Sequence, residues 1–302
     1  LHLRSRDKEK YLSLGEKTAG IVFGNIPYGT IAGNVYEDCN SNNVTDSNDN
    51  GIEGRIIQLD GQNFHRESIS NEDGSFSFLN IPPADYTLSE IASNEWTQTS
   101  PLSPSSYAIT MLSNSVIVKK LFYNFRNAIL AGTVWKDNNN NGIRELSDAG
   151  VDSCIILLKR NNIIIDSACT DENGQYSFTI ERSSTFTLQL QQRIGWRQTL
   201  PADSLYSLDV FSGNVFSDNN FTLVEFGSLS GKIFNDVNAN SVCDSNENGI
   251  SHWVLYLSTD ESISDSVVTE ENGNYTFTSI IAGTYSLSQQ RKTGWRRTFP
   301  SQ

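Results

Sequence analysis

The sequence predicts an all-β protein made of tandem β-sandwich domains, and three observations support this fold class. The same segments recur along the 302 residues at a fixed spacing. Hydrophobic and polar residues alternate with a period of two, as in SFSFLNI at 75–81, which is the pattern of a strand with one buried face. Gly, Asn and Asp separate these short runs, and no segment shows a helical period.

The repeat is visible in loops, turns and a tryptophan motif. VYEDCNSNNVTDSND, VWKDNNNNGIRELSD and IFNDVNANSVCDSNE are versions of one segment, and their first loop aspartates, Asp38, Asp137 and Asp236, lie 99 residues apart. The turns NEDG, DENG and EENG and the motifs EWTQTSP, GWRQTLP and GWRRTFP keep nearly the same step. Such a unit is too long for a solenoid repeat and has the size of one sandwich domain.

This spacing divides the chain into four parts. Phe122 and Phe221 occupy the predicted last strand of repeats 1 and 2, and the same step backwards leads to Phe23 in GIVFGN. We therefore expect residues 1–29 to be the C-terminal tail of a preceding repeat, followed by repeat 1 at 30–128 and repeat 2 at 129–227. Repeat 3, at 228–302, stops just after GWRRTFP and is expected to lack its last strands.

Six strands are predicted within repeat 1. In chain order they are IAGNVYED, RIIQLD, SFSFLNI, DYTLSEI, YAITML and KKLFYNF. The alternation is clearest at Phe76 and Phe78, and again at Tyr86 and Leu88. NEDG, between the second and third of these strands, is typical of a hairpin turn.

Composition and charge limit the possible functions. The formal net charge of −13 argues against binding to nucleic acid or to anionic membrane surfaces, and it fits either cation binding or a soluble exterior. No run of 18 apolar residues predicts a membrane span. The sequence has no CxxC pair and its histidines are scattered, so a zinc site is not expected. Cys154 and Cys169 flank a predicted hairpin, either as a disulfide or as two free thiols.

The segment DNNNNGIRELSD at 137–148 contains the most specific site pattern. Oxygen-bearing side chains stand at positions 1, 3, 5, 9 and 12, glycine stands at position 6, and position 7 can offer a backbone carbonyl. This is the spacing of an EF-hand calcium loop. The flanking segments GTVWK and CIILL are rich in β-branched residues, so the loop is predicted to connect strands and not helices.

The order of these motifs resembles that of the SdrD B-like repeats of bacterial surface proteins, which are close to the B-type domains of collagen-binding proteins. The shared order is a strand, the acidic Asn-rich loop, a second strand, the turn [DE]-[ND]-G-x-[FY]-x-F, a Y-T-L strand and G-W-x-x-T-x-P. The resemblance covers nearly the whole chain. It implies Ig-like or prealbumin-like sandwiches standing in tandem as a stalk, with calcium held in an EF-hand-like loop between the first two strands.

The resemblance also implies six calcium ligands in each repeat, with position 7 contributing its backbone carbonyl. They are Asp38, Asn40, Asn42, Val44, Asp46 and Asp49 in repeat 1; Asp137, Asn139, Asn141, Ile143, Glu145 and Asp148 in repeat 2; and Asp236, Asn238, Asn240, Val242, Asp244 and Glu247 in repeat 3.

The chemistry of these loops favours calcium, because oxygen ligands in this number suit calcium better than zinc or copper. The alternative is an Asn-rich loop that binds no ion. Position 6, which needs a left-handed backbone, is Gly142 in repeat 2 but Asn43 and Ser241 in the others; Asn tolerates this conformation better than Ser. Repeat 2 is thus expected to be the best site. Without a cation the three carboxylates should repel one another and loosen the loop.

Three further features have alternative interpretations. The DENG turns are either plain β-turns or second, weaker ion sites. Trp196 of GWRQTLP either covers the end of a core or offers a platform for a sugar. Related B-type domains carry a Lys–Asn isopeptide bond promoted by an acidic residue, and Glu90 fits that place. Because Leu190 and Gln289 replace it in the other repeats and no matching lysine is evident, no such bond is expected.

The sequence therefore predicts a non-catalytic, calcium-stabilised stalk of an extracellular bacterial surface protein, whose partners are calcium and the adjacent repeats. No nucleophile–His–Asp arrangement or nucleotide-binding glycine motif is present. Two alternatives stay open. The repeats themselves bind an unidentified extracellular ligand, or they serve as spacers inside a secreted multidomain enzyme.

Overall fold

The fold is all-β, as the sequence predicts. The computed structural model describes residues 2–5, 8–11, 14–17, 22–259 and 262–300, and within these ranges no helix is present. At the N-terminus β1 (His2–Ser5) pairs antiparallel with β2 (Lys8–Tyr11). Phe23 is exposed and lies in no strand, and the assignment of residues 1–29 to a preceding repeat stays a prediction.

Repeat 1 is a sandwich of two four-stranded sheets. Its strands are β3 (Gly29–Glu37), β4 (Ile56–Gly61), β5 (Phe64–Ile69), β6 (Ser75–Ile81), β7 (Ala84–Glu90), β8 (Trp96–Ser100), β9 (Ser106–Met111) and β10 (Val116–Arg126). One sheet has the order β6-β3-β10-β8 and the other the order β5-β4-β7-β9. The six predicted strands are all present, and the sequence did not predict β5 and β8.

The first and last strands of repeat 1 lie side by side in parallel, with Val35 opposite Phe122. The alternating residues of both sheets meet in one core, in which Ile31, Val35 and Phe122 are fully buried. The predicted pattern of apolar residues on one face of each strand accounts for this core.

Repeat 2 has the same topology with its own core. Its strands are β11 (Ala128–Lys136), β12 (Ile155–Arg160), β13 (Ile163–Cys169), β14 (Gln175–Ile180), β15 (Ser184–Leu190), β16 (Trp196–Leu200), β17 (Leu205–Val210), β18 (Val215–Phe216) and β19 (Phe221–Glu225). The sheets have the orders β14-β11-β19-β16 and β13-β12-β15-β17. The short β18 and β19 both pair parallel to β11 and together take the place of β10.

Repeat 3 contains five described strands. They are β20 (Gly227–Lys232), β21 (Val254–Ser258), β22 (Ile263–Val268), β23 (Asn274–Ile280) and β24 (Ser286–Gln289), arranged as β20-β23 and β22-β21-β24. Its core is correspondingly small, with Leu255, Leu257, Tyr275 and Phe277 buried.

The chain forms two compact units. One comprises Leu1–Glu37, Thr45–Ala92 and Gln98–Asn124, and the other comprises Asp38–Val44, Ser93–Thr97 and Phe125–Gln302. The core of repeat 1 belongs to the first unit, and the cores of repeats 2 and 3 belong to the second.

The cysteines of repeat 2 are free thiols. Cys154 is buried and Cys169 is exposed. The strand register explains their separation, because Cys169 lies opposite Ile155 and not opposite Cys154, and neighbouring residues of a strand point to opposite faces. In the part of the chain that the structure describes, no helix is long and apolar enough to cross a membrane.

Candidate metal centre

Three loops occupy the predicted position between the first two long strands of their repeats: loop 1 (38–49), loop 2 (137–148) and loop 3 (236–247). Loop 2 is closed at its base by a backbone hydrogen bond from Lys136 N to Ala149 O of 2.9 Å and by a β-bridge between Trp135 and Gly150. The same closure recurs in the other two repeats, where Tyr36 bridges Gly51 and Phe234 bridges Gly249. In each repeat, the residues before and after the loop thus pair with each other and close its base.

The DENG turn packs under this closure. A Cβ on Gly150 would lie 2.1 Å from the carbonyl oxygen of Asn173, and one on Gly174 would lie 2.1 Å from that of Val134. Gly174, at φ +76°, closes the turn by donating its N–H to Asp171 O. These contacts favour the interpretation as a plain β-turn that supports the base of the loop.

The carboxylate at position 1 organises the middle of each loop. In loop 2, Asp137 is 2% exposed, and its two oxygens accept the N–H groups of Asn141 at 3.2 Å and of Gly142 at 2.8 Å. Asp38 and Asp236 accept the corresponding N–H groups in loops 1 and 3. The loop therefore turns around this carboxylate.

The asparagines at positions 3 and 5 form successive Asx turns. In loop 2, Asn139 Oδ1 accepts the N–H of Asn141 at 3.1 Å, and Asn141 Oδ1 accepts the N–H of Ile143 at 2.8 Å. The same two bonds occur in loops 1 and 3. Because each carbonyl oxygen faces a backbone N–H, the orientation of both side-chain amides follows from the hydrogen bonding.

The carboxylate at position 12 faces backbone amides. Asp148 Oδ1 accepts the N–H of Asn138 at 3.2 Å and Oδ2 accepts that of Glu145 at 3.0 Å; the hydrogen bond from Glu145 is the main cause of a pKa of Asp148 below its usual value. Glu247 uses its two oxygens in the same way in loop 3, towards Val237 and Asp244. The position-12 carboxylate thus links the first residues of the loop to its last turn through hydrogen bonds.

The carboxylate at position 9 accepts hydrogen bonds from the two asparagine side chains in loops 2 and 3. Glu145 Oε1 accepts from Asn141 Nδ2 at 2.6 Å and from Asn139 Nδ2 at 3.4 Å. In loop 3, Asp244 Oδ2 accepts from Asn238 Nδ2 at 2.8 Å and from Asn240 Nδ2 at 2.9 Å. The sequence did not predict this bonding, since the spacing identifies which side chains face inwards but not their partners.

The backbone at position 6 is left-handed in every loop, as predicted, with φ of 60° at Asn43, 75° at Gly142 and 66° at Ser241. Position 4 is left-handed as well, which the sequence did not predict. Ala239 has φ 54° there, and alanine has no side-chain hydrogen bond that would offset the strain of this conformation.

The donor set suits a hard cation, and one atom of loop 2 lacks a partner. Glu145 Oε2 is buried and forms no hydrogen bond, so this oxygen could hold calcium together with the oxygens of Asp137, Asn139, Asn141 and the carbonyl of Ile143. Among the described residues, no three Asp, Glu, His or Cys side chains already form a metal-holding cluster. The donor types therefore suit calcium, and the carboxylates at positions 1 and 12 both also accept backbone N–H groups.

The other two predicted features lie outside the loops. Trp196 is partly buried against the core of repeat 2, with the cations of Lys136 and Arg193 over its ring, which favours the core-covering interpretation. Glu90 forms a buried salt bridge with Arg55 and accepts two hydrogen bonds from Asn124 Nδ2.

Comparison with known proteins gives several relatives. Serine-aspartate repeat-containing protein D of Staphylococcus aureus (strain Newman) is 24% identical over 288 residues, which is 87% of this chain and 22% of that protein. Serine-aspartate repeat-containing protein F of Staphylococcus epidermidis is 24% identical over 290 residues, 87% of this chain and 17% of that protein. The chain thus spans about a fifth of the length of these relatives.

Solved structures that match this chain include BcpA, the major pilin subunit of Bacillus cereus. It has a TM-score of 0.36 and 10% identity, over 86% of this chain and 87% of that one. The Bacillus anthracis TIE protein has a TM-score of 0.34 and 14% identity, over 88% of this chain and 46% of that one.

The family comparison is the most extensive, because it finds one domain three times. The model of the SdrD B-like domain matches residues 29–114, 128–209 and 227–302. These matches agree with the resemblance of the motifs and with the three separate cores, and the chain belongs to the SdrD B-like domain family.

Proposed function

We propose that this chain is a calcium-binding, non-catalytic spacer of a bacterial surface protein, in which each sandwich carries one calcium loop. The observation that carries the proposal is the recurrence of one loop architecture in three repeats. In each repeat the position-1 carboxylate accepts two backbone N–H groups and Asx turns follow at positions 3 and 5, so the same hydrogen bonds order these oxygens in all three loops.

Calcium would be held by side-chain oxygens of positions 1, 3, 5, 9 and 12 and by the carbonyl of position 7. The side chains at position 7, Val44, Ile143 and Val242, are exposed, so their contribution is the backbone oxygen. The ion would supply positive charge that neutralises the carboxylates. It would also tie the strand before each loop to the strand after it.

The repetition of one domain supports the spacer role. Each repeat has its own buried core and the loops recur at a constant step, so each repeat brings the same kind of domain and the same kind of loop. Extracellular location fits this role, since calcium loops of this kind bind usefully at the millimolar calcium found outside cells.

Isothermal titration of the full chain with calcium tests the proposal, with native mass spectrometry counting the bound ions. We expect up to three ions per chain, with repeat 2 filled first. Titration with magnesium is the control, and weak or absent binding is expected because magnesium dehydrates reluctantly. Absence of calcium binding would overturn the proposal and leave the loops as structural turns.

A further inference from the structure

Five asparagines of this chain precede a glycine, and the N–H groups of these glycines differ in their hydrogen bonding. The asparagines are Asn50, Asn141, Asn173, Asn248 and Asn272. In an Asn–Gly pair the backbone nitrogen of the glycine can attack the side-chain carbonyl carbon of the asparagine, because glycine has no Cβ to hinder the approach. The attack needs a nitrogen that is free of a hydrogen bond, since its N–H must lose the proton. Local bonding therefore decides which of the five pairs react.

In loop 2 both members of the pair Asn141–Gly142 are held. Gly142 N donates to Asp137 Oδ2 at 2.8 Å. The side chain of Asn141 is bonded at both ends, with Oδ1 accepting from Ile143 N at 2.8 Å and Nδ2 donating to Glu145 Oε1 at 2.6 Å. These bonds would have to break before the nitrogen could attack, so Asn141 is protected.

The pairs Asn173–Gly174 and Asn272–Gly273 lie in β-turns. In each turn the glycine N–H donates to the backbone carbonyl of the residue three positions earlier, at 2.9 Å. A hydrogen bond between neutral groups is weaker than one to a carboxylate. These two pairs are therefore protected less strongly than the pair in loop 2.

The pairs Asn50–Gly51 and Asn248–Gly249 lie at the β-bridges that close loops 1 and 3. The hydrogen bonds of each bridge come from its flanking residues, as where Glu37 N donates to Asn50 O at 2.8 Å. In this pattern the N–H of the bridged residue points away from the partner strand. Among the described residues, neither glycine N–H has a hydrogen-bond acceptor, and both asparagines are exposed.

We propose that Asn50 and Asn248 are sites of spontaneous deamidation at the bases of loops 1 and 3. In loop 1, Gly51 N forms a bond to Cγ of Asn50, and the Cγ–Nδ2 bond breaks. The proton of Gly51 N passes through solvent to the departing nitrogen, which leaves as ammonia. Water then opens either carbonyl of the resulting succinimide to give aspartate or isoaspartate. Asparagine and water are thus converted into an acidic residue and ammonia.

The reaction changes the closure of these two loops. Isoaspartate carries the main chain through the former side chain, so the backbone carbonyl of Asn50 that accepts the Glu37 N–H becomes part of a free carboxylate. The new charge also follows directly after Asp49. Loop 2 cannot change in this way, because Ala149 precedes Gly150 there. Conversion should therefore open the bases of loops 1 and 3 and leave that of loop 2 closed.

The test incubates the folded full chain in mildly alkaline buffer with excess chelator and follows the five Asn–Gly peptides by mass spectrometry. Because the reaction needs no calcium, its outcome is separate from that of the proposed function. The peptides with Asn50 and Asn248 are expected to convert at least about tenfold faster than the peptide with Asn141, where a hydrogen bond to a carboxylate must first break. Equal rates for these three asparagines in the folded chain would overturn the proposal.

The same incubation in urea is the control. The five pairs should then convert at similar rates, because the hydrogen bonds that distinguish them are lost. If the ranking of the folded chain persisted in urea, the neighbouring sequence and not the structure would set the rates, and the proposal would fail.

Asn50→Ala copies Ala149 of repeat 2 and is the matched variant. Hydrogen exchange at the base of loop 1 should become faster in the wild type after incubation, and it should stay unchanged in Asn50→Ala. The base of loop 2 is the internal reference and should stay unchanged in both. Equal exchange at the base of loop 1 before and after conversion of Asn50 would overturn the opening of the loop.

Discussion

Repeat 1 contains a buried polar cluster, and repeat 2 has apolar residues at the equivalent positions. Replacing the polar residues of repeat 1 by these apolar ones tests how the cluster affects stability. Arg55, Glu90 and Asn124 form the cluster. The strand registers place Glu90 opposite Ile57 and Leu190 opposite Ile156. They also place Asn124 opposite Glu37 and Leu223 opposite Lys136.

Arg55 and Cys154 each lie two residues before these isoleucines, so repeat 2 holds Cys154, Leu190 and Leu223 at the three positions, and all three are buried. The perturbation is the triple substitution Arg55→Cys, Glu90→Leu and Asn124→Leu.

The magnitude follows from burial. The side chains of Arg55 and Glu90 are 10% and 1% exposed, and Asn124 Oδ1 is buried without a hydrogen-bond partner. Breaking such a pair leaves an unpaired buried charge, so the single change Glu90→Leu should cost about 3–5 kcal/mol. Replacing the whole cluster by apolar residues removes every charge and the orphaned oxygen. The triple variant is therefore expected to range from unchanged to about 4 kcal/mol more stable than the wild type.

Hydrogen exchange of the full chain, read by mass spectrometry on peptides from β4, β7 and β10, measures this change repeat by repeat. Peptides from β12 and β15 of repeat 2 are the internal control and should exchange at wild-type rates in every variant. The amide hydrogens of repeat 1 should exchange much faster in Glu90→Leu than in the wild type. In the triple variant they should exchange at the wild-type rate or more slowly. A triple variant as unstable as the single one would refute the reasoning, since it would mean that the cluster is stabilising in itself.

Three further predictions concern single positions. Asp137→Ala removes the acceptor of two backbone N–H groups and should lower the calcium stoichiometry by one ion in calorimetry, whereas unchanged stoichiometry would count against loop 2 as a site. Ala239→Gly relieves a left-handed alanine and should raise the melting temperature of repeat 3 by a few degrees, for about 0.5–1 kcal/mol; no rise would show that φ is not strained there. Burial raises the pKa of Glu90, and Arg55 and Asn124 offset part of this effect. The native state thus binds the Glu90 proton more tightly than the unfolded chain does. Its contribution to stability is complete below about pH 4.3 and is lost as pH rises through the raised pKa. Urea midpoints of the wild type should accordingly fall with pH relative to Glu90→Gln, and parallel pH profiles would contradict the shift.

The fold class and the family could be predicted from the sequence, because alternation and repetition both survive in the strands that form the cores. Strands β5 and β8 could not. β5 is the edge strand FHRESI, whose side chains are mostly exposed, so burial imposes no alternation on it. β8, WTQTS, is mostly polar, and the sequence marks it only as part of the repeated motif EWTQTSP.

The candidate site was predictable in position but not in bonding. Spacing places positions 1, 3, 5, 9 and 12 around one loop, yet it does not show that Asp148 faces backbone amides or that Glu145 lies on two asparagines. The sequence does not single out Asn124, because an asparagine between Tyr123 and Phe125 has no pattern of its own. Comparison of the repeats could have found it, since Glu90 and Asn124 in repeat 1 are both leucine in repeat 2.

The central claim is that calcium stabilises these repeats, and thermal melts of the full chain in calcium, in excess chelator and in magnesium test it most directly. With a dissociation constant of about 0.1–1 mM, as for extracellular sites, roughly 1 mM calcium stabilises each repeat by about 0.4–1.4 kcal/mol. For a domain of this size the melting temperature should rise on the order of 2–10 °C, with magnesium giving a much smaller rise. Three coinciding melts would contradict the account.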